Sequence, residues 1–451
     1  MSSNGADDLL DLARSVRDRA RPGEELEVVL GRSRSTLVKV HDGRIESVTT
    51  AGTSGAGLRV VRDGRQGFAH CGSLEPEVLA ETLAEARDNC AFSQPDEFNG
   101  LARPDGVEPV PQDTWSEAVV SFPDDRRSAV ALELERRVLG RDRRVSGART
   151  TSYGDGAGET AIATTTGIEV TERAASCSVS TQPLVREGDE TQIGWSYDAG
   201  RNPEDLDLDR VAAEAVERAT RLLGATKPAS ARMAILLEPR LAATLLGVVA
   251  GMLSGDAVLK GRSPFADRLG HQVASPVLTL VDDPTRSESL GAATFDGEGL
   301  ACRRNHLLVD GVLGTFLHNS YTGRRSGTAS TGSAVRSTRS LPGVGAQVLV
   351  IEPGVRPFDE LVRSIDLGLW VASFSGLHSG VNPVSGDFSV GADGVMIRDG
   401  ALAEPVRELT VASTLQRLLL DIREVGGDFE WLPGGDGACS LVIDDVSVSG
   451  T

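Results

Sequence analysis

Between residues 25 and 72 the chain repeats one device: a short run rich in β-branched residues that ends in Gly or Asp-Gly. ELEVVLG, STLVKVHDG, RIESVTTAG, GLRVVRDG and RQGFAHCG follow one another. Gly and Asp-Gly punctuate hairpins because they accept the left-handed backbone that tight turns need. Short strands joined by tight turns are therefore expected. The pattern returns between 144 and 197 in VSGARTTSYG, ETAIATTTG, IEVTERAASCSVSTQPLV and TQIGWSYDAG, which reads as an antiparallel meander. Apolar spacing predicts helices over 6–20, 75–92, 123–140 and 206–223. The stretch 93–115 holds four Pro and reads as a long connection.

At 451 residues the chain exceeds the size at which one core usually stops growing. GATKPAS, a Gly/Pro/Ser break, places a boundary near 225, giving domains 1–225 and 226–451. The second half opens with a buried strand, RMAILLEP. A helix follows whose Leu241, Leu245, Val248, Val249 and Met252 share one face. It runs into a Gly- and Ser-rich loop within LLGVVAGMLSGDAVLKGRSPF, a junction suited to holding a metal or a phosphate. Strands and turns come next, with one further helix at about 408–424. The fold class is α+β. The N-terminal domain is a mixed α/β sheet with helices. The C-terminal domain is largely antiparallel β, barrel- or sandwich-like, with a few helices.

The net charge of −19 repels nucleic acid and anionic membranes, so neither is expected as a direct partner. Five Cys show no CxxC spacing, which suits free thiols in a reducing, cytoplasmic setting. Cys302 and Cys439 read as buried small hydrophobes. No signal-peptide pattern and no run of 18 apolar residues is found. P-loop, nucleophile-elbow and SxxK motifs are missing, and no two of the six His lie three to five residues apart.

Three polar segments remain as site candidates. FDGEG places Asp296 and Glu298 in a Gly-flanked loop, able to orient a partner or bind a cation, or else a solvated turn. STGSAVRS offers Arg336 as a carboxylate or phosphate clamp. SFSGLHSGVNPVSGDFSVGADG gathers His378, Asn382, Asp387 and Ser389 among several Gly, whose backbone is easy to approach. Asp282-Asp283 reads as turn chemistry at a strand end.

Taken in order, GDAVLKGRSPF, LGHQVASPVLTLVDDP, FDGEGLACRRNHLLVDGVLGTFLHNSYTGRRSGTASTGSAVR, GVNPVSGDFSVGADGVMIRDG and LVIDDVSVSG resemble the TldD/TldE (PmbA) family over the C-terminal half. The resemblance implies two kinds of chain. The TldD-like kind carries HExxxH on the helix before Gly-Asp, with two His on zinc and Glu as general base toward metal-bound water. Aligned on Gly255-Asp256, that motif falls on Leu246, Gly247 and Gly251, which offer no ligand and no base. The chain is thus similar to the TldE-like kind, with no metal of its own and zinc in the partner. The implied activity belongs to a heterodimer with a TldD-like chain, a metallopeptidase that degrades unfolded peptides or trims leader peptides from natural-product precursors. The loops at 376–391 and 330–336 would face the chamber or the partner. Two other readings stand beside it: a stand-alone amide hydrolase built around His378, Asp387 and Ser389, and a peptide-binding scaffold.

Overall fold

The computed structural model describes residues 5–450. Residues 1–4, the start of the segment read above as lacking a signal sequence, and residue 451 lie outside the described residues. The N-terminal part is built on a seven-stranded antiparallel sheet: β1 (Glu25–His41), β2 (Arg44–Arg62), β3 (Arg65–Cys71), β4 (Val145–Thr164), β5 (Glu169–Glu187), β6 (Glu190–Ile193) and β7 (Ser196–Gly200). The order is β3-β2-β1-β4-β5-β6, with β7 also on β5. The expected short strands are in fact long ones. ELEVVLG and STLVKVH form the single strand β1, and RIESVTTAG and GLRVV form β2. The hairpin turns fall only at Asp42-Gly43 and Asp63-Gly64, where all four residues take positive φ. Gly31, Gly52, Gly55 and Gly57 lie inside strands instead of ending them.

The pleat sorts β1 into two faces. Leu26, Val28 and Leu30 face helices α1 (Gly5–Arg17) and α2 (Pro76–Phe92), packing on Leu9, Ala13, Leu79 and Leu83. Further along, Val38 and Val40 meet α3 (Asp124–Leu139) and α4 (Leu208–Arg221) through Leu134, Val138, Val211 and Val216. Glu27, Val29 and Gly31 alternate onto the opposite face. Their cross-strand partners on β2 are Arg59, Gly57 and Gly55. That face receives the C-terminal part: Val29 and Ile162 pack with Leu300 and Ala102.

The C-terminal part centres on β8 (Ala231–Leu237), β9 (Leu367–Ser375), β10 (Asp387–Arg398), β11 (Ala401–Thr414) and β12 (Leu441–Ser449). They run β11-β10-β9-β8-β12, and a further β11–β12 pairing closes the ring into a barrel. The pairs are antiparallel except β8–β9, which is parallel. Helix α5 (Pro239–Met252) packs into the largest core cluster, and a short helix, α6 (Gly255–Leu259), follows it where a loop is expected from sequence. The expected helix at 408–424 is mostly strand: β11 extends to Thr414, and only Leu415–Leu420 is helical. Thr410, Val411 and Ala412 bond both to β10 and to β12, and barrel closure overrides the Leu spacing.

The strand glycines make room for segment 337–340. A Cβ on Gly57 would lie 2.5 Å from the Thr338 carbonyl and 3.2 Å from Phe68, and one on Gly31 3.2 Å from the Thr338 methyl. Gly57→Val should therefore lower stability by about 1–3 kcal/mol through overpacking, read as a lower urea midpoint. Gly52→Val, at a position where the nearest atom is 3.9 Å away, should leave the midpoint within about 0.5 kcal/mol of the original.

Candidate functional site

Asp296, Glu298 and Arg336 are drawn together where the two parts of the molecule meet. Glu27, fully buried on β1, is their hub. One of its carboxylate oxygens accepts from Arg59 Nη2 at 2.7 Å, and the other accepts from Arg336 Nη1. Arg59 also lies 3.7 Å from Glu298. Glu298 in turn accepts from the Ser320 amide at 2.8 Å and the Ser320 hydroxyl at 2.6 Å. It thereby holds the first turn of a short helix, Ser320–Ser326. Asp296 accepts from the amides of Glu298, Leu300 and Ala334. These acids are neither a solvated turn nor an open cation site; they are buried parts of the seam. Arg336 donates to Glu27 through Nη1, with its side chain 3% exposed, while its Nε and Nη2 have no hydrogen-bond partner.

The same helix clamps the long 93–115 connection. Arg324 donates to the carbonyls of Phe98 and Gly100, each at 2.8 Å, and Tyr321 donates to Asp96 at 2.9 Å. Glu27 and Arg59 escape a reading of single segments because their partners are distant in the chain. The available signal is a lone charge within an apolar strand, as in ELEVVL and GLRVV.

His378 and Asn382 lie elsewhere, in the exposed connection between β9 and β10, and Asp387 and Ser389 are exposed positions at the start of β10. Asn382 accepts from the amides of Val384 and Ser385, and Asp387 accepts the Ser385 hydroxyl at 2.6 Å. These bonds shape the loop. Among the described residues no hydrogen bond joins His378 to Asp387 or Ser389, so the three do not assemble as acid, base and nucleophile. Nor does any bond link this group to the Glu27 seam.

The helix-to-loop junction resolves into packing. Leu246 is fully buried in the main core, whereas Gly247 and Gly251 face solvent with nothing within 4 Å of a notional Cβ. None of the three supplies a donor atom, and the residues present do not fit a zinc ion. Among the described residues no cluster of three or more His, Cys, Asp and Glu is placed to hold a metal. Ser254 caps α6 by accepting the Ala257 amide at 3.2 Å, and Asp256 pairs with Lys260 at 2.9 Å. Gly255 bonds to the Leu317 carbonyl at 2.7 Å and lies against the buried His318 ring, leaving no space for a Cβ. Desolvation holds the His318 pKa below its ordinary value, so the imidazole stays neutral. Asp282 is also buried, accepting the Gln347 and Val348 amides. Cys302 and Cys439 are buried, and desolvation pushes both thiols up, Cys439 to about 12, which removes nucleophilic character.

A groove runs along α4 between the two parts. It comprises cavities of about 1000 and 450 Å³ that share Arg218 and Glu430. Among the described residues no helix is long and apolar enough to cross a membrane.

Two tests follow from the seam. Glu27→Ala leaves two buried guanidinium groups without their carboxylate and should cost about 3–5 kcal/mol in denaturant unfolding. Asp296 tests the sign of a pH effect. Burial, then the nearby Glu298 charge, pushes its carboxyl up to about 7 against three amide donors. Between about pH 4 and 7 the folded chain holds a proton that the unfolded chain has released. Stability from this group is therefore fully present below about pH 4, falls as pH rises to about 7, and is level above. Asp296→Asn should flatten that slope in unfolding free energy measured against pH.

Comparison with known proteins places these features. The model of PmbA/TldA metallopeptidase domain 1 matches residues 26–90, that of the central domain 119–223, and that of the C-terminal domain 230–450. Metalloprotease PmbA of Escherichia coli O157:H7 is 26% identical over 426 residues, covering 93% of this chain and 90% of that protein. A metalloprotease TldD homolog of Buchnera aphidicola is 24% identical over 430 residues, covering 88% and 87%. The crystal structure of TldE from Thermococcus kodakarensis shares the fold, with a TM-score of 0.87 at 24% identity, covering 98% of this chain and 99% of that one.

Proposed function

The chain belongs to the PmbA/TldD metallopeptidase family, and within it we propose that it is the TldE-like, non-catalytic subunit of a heterodimeric peptidase. Overall similarity does not separate the two kinds, since PmbA and TldD relatives match at nearly equal identity. The observation that carries the assignment is the chemistry of α5: Leu246, Gly247 and Gly251 stand where the TldD-like kind has its two ligands and its base. A leucine closed into the core and two glycines can neither bind zinc nor move a proton. The metal and the hydrolytic water then belong to a TldD-like HExxxH partner. This chain contributes the walls that position an unfolded peptide or a natural-product precursor. Free cysteines, none of them paired among the described residues, suit a cytoplasmic location.

The reading as a stand-alone hydrolase has no support in the arrangement of His378, Asp387 and Ser389. A pure scaffold would bind peptide without ever enabling cleavage. One experiment separates the three: hydrolysis of an unfolded fluorogenic peptide by the chain alone, by an HExxxH homologue alone, and by the two mixed. The expected result is an inert single chain, a one-to-one complex by light scattering, and cleavage by the mixture that chelation abolishes. Cleavage by the chain alone that persists in chelator and is lost in His378→Ala would defeat the assignment.

A further inference from the structure

The 450 Å³ end of the α4 groove is lined by Arg201, Arg210, Arg218 and Arg240, with Tyr197 and Trp431 among its walls. Arg210 is held by Asp198 at 2.8 Å and Glu214 at 3.2 Å. Arg218 lies 3.8 Å from both Glu214 and Glu238. The other two arginines differ. Among the described residues neither Arg240 nor Arg201 has a carboxylate within ion-pair distance.

Arg240, in the first turn of α5, makes a single long bond to the Ala372 carbonyl at 3.5 Å and lies 5.4 Å from the centre of the Trp195 ring. Its Nε is buried with no hydrogen-bond partner. Arg201 reaches only backbone, donating to the Ser287 and Ser289 carbonyls at 3.1 and 2.6 Å. The buried Arg59 and Arg336 at the seam also have nitrogens without a hydrogen-bond partner, but each contacts the Glu27 carboxylate, and Arg201 and Arg240 have no counterpart of it. A guanidinium that gives up water without gaining a counter-charge carries a desolvation cost. Burial accordingly lowers the pKa of both Arg201 and Arg240 from the ordinary arginine value. An incoming anion relieves that cost.

The acids on the same wall do not fill this role. Asp198 and Glu214 are taken by Arg210, and Glu288 lies 3.7 Å from Arg286. Glu430 has no arginine within ion-pair distance among the described residues; desolvation raises its pKa, and Arg218 acts to lower it. The aromatic lining, Tyr197 and Trp431, adds contact that is indifferent to side-chain identity, and Trp195 backs Tyr197 in a tilted pair at 4.7 Å between centroids. Beyond Arg218 and Glu430 the groove continues into the 1000 Å³ cavity, room for an extended chain.

We propose that Arg240 and Arg201 form a carboxylate-recognition site for a peptide lying in the α4 groove. The proposal rests on the peptidase reading above for the identity of its ligand. The carboxylate is either the C-terminus of the peptide or an acidic side chain, and the two sources can be separated.

The test uses the full chain without any partner and three fluorescent peptides of one neutral sequence. One ends in a free carboxylate, one in an amide, and one in an amide with a single internal Glu. Anisotropy is read at physiological salt. At least one acid-bearing peptide should bind about tenfold or more tighter than the neutral amide, the range of a charge-assisted hydrogen bond. Which one does identifies the source. Arg240→Gln and Arg201→Gln should each erase that preference, with thermal melts showing folded protein. Should Arg240→Gln fail to fold, the Arg201 variant and the wild-type comparison of acid with amide still decide. Equal binding of all three peptides, no binding of any, or a preference unchanged in the folded variants overturns the site. Cleavage by the mixed subunits is scored separately, so loss of the peptidase reading and loss of this site are distinct results.

Discussion

Burial of the Glu27 carboxylate organises the molecule. It sits on the one face of β1 that the helices leave open, directly across from Arg59. Desolvation alone would protonate it, but Arg336 and Arg59 outweigh that and hold its pKa below the usual carboxylate range. A charge in that position is tolerable only if both cations arrive in the right place. Arg59 is supplied by strand register and Arg336 by the C-terminal part. The relative placement of the two parts is thus an electrostatic requirement as well as an apolar one. Glu298 extends the chain of bonds to the Ser320–Ser326 helix, and Arg324 extends it to the 93–115 connection.

The groove along α4 handles charge differently from this seam. Along it α4 and β7 border the start of α5, with Arg218 and Arg221 reaching Glu238. There the surfaces do not close, and the groove opens between them. The contrast in charge handling is informative. At the seam, Arg59 and Arg336 each contact the Glu27 carboxylate, and Arg324 donates to carbonyls. In the groove, Arg201 is held by two carbonyls and Arg240 by one long bond, and neither has a carboxylate partner among the described residues. A stable junction and a receptive cleft therefore arise from the same residue type under different pairing.

Much of this was legible in the sequence. The helix at 239–252 announces itself through the spacing of Leu241, Leu245, Val249 and Met252, and the α+β class follows from the strand pattern. The strand lengths were hidden because Gly is ambiguous: the same residue that closes a hairpin at Asp42-Gly43 also lets segment 337–340 lie flat on β1 and β2. Nothing local to Gly57 reveals that Thr338 will cross it. The 408–424 stretch misleads for a related reason, since Leu409, Leu415, Leu418 and Leu419 fit a helical stripe, yet pairing of Val411 with two neighbouring strands decides the outcome. Asp296, Glu298 and Arg336 stood out as unusual polar residues, but their role depends on Glu27, which is 309 positions from Arg336. Pairing across such a separation leaves no periodic trace.

On the proposed TldE-like reading, α5 differs from a metal-binding helix by more than three exchanged side chains. Positions 246 and 251 are separated by about 140° around an α-helix, and here they have taken up different duties. Leu246 is fully buried among the residues that join α5 to the barrel, while Gly251 lies on the solvent face. A histidine at 246 would place an imidazole in apolar surroundings with no partner for its N–H, at a cost of a few kcal/mol. One at 251 would point the other way. Gly255, three residues beyond the helix, is fixed against His318 and cannot give by accepting a side chain. The burial of Leu246 thus resists a histidine at that position.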